Sequence, residues 1–122
     1  MLLVFLWLTA IAIVSTGQLL PDGSGLLAWI SVSGLSDKVL HFTAYFVLAL
    51  IPSLGFPRRT ALSAALAMIP LGALLDTLQL YVPGRSFELA DILTNAAGVL
   101  TAILTAQAIA EVRNQPVGHP PE

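Results

Sequence analysis

The sequence predicts an all-α integral membrane domain of four transmembrane helices, with an interfacial segment between the first and the second. Three observations carry that prediction. Hydrophobic residues make up 57% of the chain and charged residues 10%, with a mean hydropathy of +0.88, whereas a soluble domain carries about 25% charged residues. Apolar runs near the ~20 residues that cross a ~30 Å hydrocarbon core recur four times. These runs mostly lack the continuous polar stripe that a helix on a soluble core shows. At 122 residues the chain holds one domain, read as a four-helix membrane domain over 1–112 and a short disordered cytoplasmic tail over 113–122.

Each element has its own justification. Residues 1–20, "MLLVFLWLTAIAIVSTGQLL", lack the Lys/Arg start and the small-residue cleavage site of a signal peptide, so they read as a retained anchor. The loop over 17–37 contains the turn-rich "PDGSG" and then "LLAWISVSGL", too short to span. With Trp29 and its aliphatics, that segment is expected to lie in the interface. Runs 39–56, 60–82 and 89–110 supply the other three helices. Helix is the expected state of each, because lipid offers no water to satisfy backbone groups. Pro70, mid-way in the third run, removes a backbone hydrogen bond and predicts a kink. In the last run small residues recur every fourth position, at Ala90, Thr94, Gly98, Ala102, Ala106 and Ala110. Such a stripe lets a neighbouring helix approach closely, either within the chain or in a homo-oligomer. The tail "RNQPVGHPPE" is polar and Pro-rich, which reads as disorder, with His119 solvated.

Composition also excludes. A net charge of −2 leaves no basic footprint for nucleic acid. The absence of cysteine removes disulfides, thiolate metal sites and sulfur redox chemistry. Orientation follows from the basic residues. Arg58, Arg59 and Arg113 fall on one side of the membrane, Lys38 and Arg85 on the other. The excess places both termini in the cytoplasm.

The polar residues then gather by depth. Asp37 and Lys38 open the second helix after a Ser36 N-cap, with His41 one turn inside and Tyr45 one turn deeper on the same face. Asp76 lies roughly 9 Å in from the end of the third helix, and Gln79 follows on the same side. Glu88 and Asp91 stand in the first turn of the fourth helix after Ser86, favoured by its positive end, and Asn95 is one turn deeper. All of these fall at the outer end. Between the third and fourth helices "YVPGRSF" predicts a type II turn at Pro83–Gly84. It brings Arg85 over the cluster, where it could pair with Asp76 or Asp91 or present a planar fork to a phosphate or carboxylate. A carboxylate at the bilayer centre costs about 2.5–3.5 kcal/mol, and less near the interface.

"DKVLHFTAYFVL", followed by "G…D..Q…PGRSFELAD…N..G", resembles the VanZ-like family of small bacterial membrane proteins. The matching positions are Asp37, Lys38, His41, Tyr45, Gly72, Gln79, Arg85, Asp91, Asn95 and Gly98. One position departs: Asp76 stands where the family typically carries Glu, one methylene longer. The resemblance implies a membrane protein linked to low-level teicoplanin resistance. It implies no reaction, since no molecular mechanism is established for the family.

Three functions remain open on the residues. The first is a ligand site for an amphiphile with an anionic or peptide-like head: a phospholipid, a lipid-linked cell-wall precursor or a lipoglycopeptide. Lys38 and Arg85 would hold the anion, His41, Gln79 and Asn95 would hydrogen-bond it, and Asp76 with Asp91 would orient the basic groups. Asp37 and Tyr45 complete the candidate residues. The second is an enzyme acting on a lipid head, with His41 as general base and Asp76 or Asp91 fixing its tautomer, or with these three around a divalent cation. The sequence has no HExxH or GxSxG motif, so no metal or cofactor is assigned and catalysis is the less favoured reading. The third is an assembly partner whose polar residues only hold helices together. A transporter is disfavoured because the polar residues do not continue to the cytoplasmic side.

Overall fold

The structure, a computed structural model, describes residues 1–19, 37–82, 88–114 and 118. Among these it is all helical. The elements are α1 (Leu2–Leu19), α2 (Asp37–Gly55), α3 (Arg58–Leu78) with a short 3₁₀ turn η1 (Gln79–Tyr81), and α4 (Leu89–Asn114). The interfacial segment around Trp29, the Ser36 and Ser86 caps, the Pro83–Gly84 turn, Arg85 and His119 lie outside the described residues.

Helices α2, α3 and α4 are each long and apolar enough to cross a membrane, whereas the apolar stretch of α1, Leu2–Gly17, is shorter. The α-helical part of α3 stops at Leu78 and tightens into η1, so Gln79 sits in a 3₁₀ turn. Hydropathy alone does not report such a tightening. α3 continues as one helix through Pro70. α4 runs four residues past the apolar run that announces it, because Glu111, Val112, Arg113 and Asn114 keep the helical backbone. At 26 residues it is about 39 Å long.

The α2–α4 contact is the most extensive, with α3 against both and α1 at the margin. The shared core is Tyr45, Leu48, Ala49, Ala65, Met68, Val99 and Ala102. Nearly half of these are alanines, and two glycines bring the backbones closer still. A Cβ on Gly98 would lie 2.5 Å from the carbonyl oxygen of Phe42 and 3.1 Å from the amide nitrogen of Phe46. A Cβ on Gly72 would lie 2.9 Å from Cε1 of Tyr45. Small residues of this kind gain dispersion contact where lipid removes any hydrophobic drive between helices. The stripe of α4 is thus used within the chain at Gly98, Ala102 and Ala106, all buried.

Large apolar side chains cover the outside of the bundle, among them Phe5, Leu62, Leu74, Leu93 and Leu104. That is the surface of a body solvated by acyl chains. Hydroxyls on these helices bond inward along their own helix: Ser53 to Ala49 O, Thr77 to Ala73 O, Thr94 to Ala90 O, Thr101 to Ala97 O and Thr105 to Thr101 O, each at 2.7 Å. Between α2 and α3 the chain reverses over Phe56 and Pro57, whose carbonyl accepts from the amides of Thr60 and Ala61 at 2.9 Å. Pro57 suits that place, just before the first helical turn, because it has no N–H to satisfy. Arg58 and Arg59 are exposed there.

Candidate functional site

The start of α2, the end of α3 and the start of α4 meet at one end of the bundle, and their polar side chains form two connected layers. The outer layer is ionic. Lys38 Nζ donates to Glu88 Oε2 at 2.7 Å and to Asp91 Oδ1 at 2.5 Å. Lys38 and Glu88 are half exposed, while the Asp91 side chain is 5% exposed. One ammonium therefore ties α2 to the first turn of α4. Both acids also sit where the free N–H groups of α4 favour negative charge.

The inner layer is an amide between an imidazole and a carboxylate. Asn95 Nδ2 donates to Asp76 Oδ2 at 2.8 Å, and Asn95 Oδ1 lies 3.0 Å from His41 Nδ1. The carboxylate accepts, so the amide turns its NH₂ to Asp76 and its oxygen to His41. An oxygen facing Nδ1 places the ring proton on Nδ1, and in the neutral ring Nε2 is then the basic nitrogen. Asp76 Oδ1 is 3.8 Å from His41 Nδ1, beyond hydrogen-bond reach. The side chain at position 76 thus reaches the amide of α4.

His41, Asp76, Gln79, Asp91 and Asn95 are all buried. Among the described residues every buried side-chain nitrogen or oxygen has a partner, as groups shielded from water require. Tyr45, fully buried, lies beside Gly72, and a Cβ there would also come 3.2 Å from Asn95 Nδ2. Gly72 therefore admits both the tyrosine ring and the central amide against α3.

Of the residues expected from sequence, Lys38, His41, Tyr45, Asp76, Gln79, Asp91 and Asn95 lie at this one end. Arg85 lies outside the described residues, and Asp37 is described only as the first residue of α2. Lys38 faces two carboxylates, and Asp76 accepts from the Asn95 amide. Glu88 was absent from the candidate residues yet is the second partner of Lys38. Its signal was its place one turn before Asp91, at the mouth of the same helix. Among the described residues no three His, Asp or Glu side chains gather as a metal-holding set. Asp91 faces Lys38.

No curated protein and no solved structure matches this chain. The family model described as VanZ/LLP1 does, over residues 2–110. That match takes in α1, α2, α3, the first 22 residues of α4 and every described residue of the two polar layers, and its members are membrane proteins. The chain belongs to the VanZ-like family.

Proposed function

We propose that the polar end of the bundle opens at the outer face of the bacterial cytoplasmic membrane, with both termini cytoplasmic, and binds an amphiphile with an anionic or peptide-like head. Phospholipids, lipid-linked cell-wall precursors and lipoglycopeptides share that build. The observation that carries the reading is segregation. His41, Asp76, Gln79, Asp91 and Asn95 come from different helices and are buried together at one end. An intramembrane ionisable residue is a site hypothesis by default, and here several share one depth. Lys38 already faces two carboxylates, so this reading assigns the anionic group to Arg85 and hydrogen bonding to the His41, Asn95 and Gln79 layer. Low-level teicoplanin resistance would follow if the head bound is the antibiotic or its target.

A second reading is favoured by one observation: the described buried polar atoms are all paired, as in a cluster that only holds helices together. Asp76→Asn and Asp91→Asn separate the two. Melting of the purified variants in detergent and teicoplanin susceptibility of cells making matched amounts are measured side by side. Variants that melt like the parent but lose the phenotype are expected from a ligand site. Melting that falls in step with the phenotype supports helix attachment and removes the ligand reading.

A further inference from the structure

We infer that Pro52 and Trp7 form a latch that docks α1 on the rest of the bundle. Pro52 is fully buried inside α2 and has no N–H, so the carbonyl of Leu48, four residues earlier, has no donor within its own helix. Away from water such an orphan carbonyl is costly. The indole of Trp7 fills the gap: Nε1–H donates to Leu48 O at 2.8 Å. The same ring stands edge-on to Phe56, with centroids 5.1 Å apart and planes at 82°. One turn earlier Leu3 lies over Gly55, its Cγ 3.3 Å from where a Cβ would be.

The latch matters because it fixes the rotation of an apolar helix. Leu2, Val4, Phe5, Leu6, Leu8 and Ile13 are exposed, while Trp7, Ala10, Ile11 and Val14 pack on the core. Both faces are apolar, and lipid is as apolar as either, so hydrophobicity does not choose between them. Thr9 does not choose either, because its hydroxyl bonds Phe5 O within α1. A directional bond to a carbonyl that a proline has released does choose. The docked helix is accordingly held to α2 at a defined height and turn.

The chain has no cysteine, so the pair Leu3→Cys and Gly55→Cys reports docking through its disulfide-forming rate in lipid vesicles. Trp7→Phe keeps an aromatic ring and removes the N–H. It should slow cross-linking about threefold in the Pro52 parent, the size of one average interhelical hydrogen bond. In a Pro52→Ala background, where α2 supplies its own N–H to Leu48, the same change should slow cross-linking clearly less, leaving only the loss of ring contact. Equal slowing in both backgrounds, or none in the parent, overturns the latch. If Pro52→Ala does not fold, the infrared band of an isotope-labelled Leu48 carbonyl decides instead. Trp7→Phe should shift it to the frequency of a free carbonyl, and an unmoved band overturns the latch.

Discussion

The two ends of the bundle hold together differently. Where α2 begins and α3 ends, side chains bridge helices: Lys38 to Glu88 and Asp91, and His41 to Asn95 to Asp76. Towards the other end, Ser53, Thr101 and Thr105 turn back on their own helices, and packing rests on Leu48, Ala49, Val99 and Ala102. Among the described residues the same helices therefore pack tightly on apolar side chains over half their length. Attachment alone does not require carboxylates, an imidazole and an amide at the opposite end, where desolvating them opposes folding.

Substitutions can test that contrast, starting with the largest effect. Gly98→Ala places a Cβ against the fixed carbonyl of Phe42. Backbone cannot step aside, so melting in detergent should show a loss of about 3 kcal/mol or no folded protein, beyond ordinary overpacking. Gly72→Ala meets only side-chain atoms, of Tyr45 and Asn95, which can shift. It should cost about 1 kcal/mol yet move the Asn95 amide, so a ligand-dependent phenotype should suffer more than melting does. A protein that loses both in proportion would dissolve the distinction between the two ends.

Asp76→Asn retains an acceptor for Asn95 and should lower stability by less than about 1 kcal/mol. Lys38→Met leaves Asp91 and Glu88 without their common cation. Its melting point should fall by a few degrees at low ionic strength, and the deficit should shrink as salt is raised, because Lys38 and Glu88 stand in reach of solvent. Thr101→Val removes a hydroxyl bonded only to Ala97 O, and melting should not change by more than about 0.5 kcal/mol. A larger loss would mean that the apolar half also relies on polar contacts.

The helices were legible because lipid imposes a length and a composition that hydropathy reads directly. The gathering at one end was legible too, since alternate helices run in opposite directions and His41, Asp76 and Asn95 then share a depth. The pairings were not. Lys38 finds its partners across about fifty positions of chain, and which face of an apolar helix turns inward is not written in its hydropathy. Asn95 looked like one amide among several, and only the packed arrangement makes it the link between His41 and Asp76. The role of Pro52 was equally hidden, because a released carbonyl gives no sign in sequence of the indole that will reach it.

The lengths of α1 and α4 carry a further consequence. The apolar run of α4, 89–110, has 22 residues and that of α1, Leu2–Gly17, has 16, a difference of about 9 Å at helical rise. No single film thickness matches both. In a thin bilayer α4 must tilt to keep its apolar surface covered; were α1 to span as well, a thick bilayer would leave it short and the lipid would thin around it. α1, packed on α2 and α3, is the helix with the smallest attachment. Acyl-chain length should therefore be a physical input that the fold registers, first as a change in how α1 lies against α2.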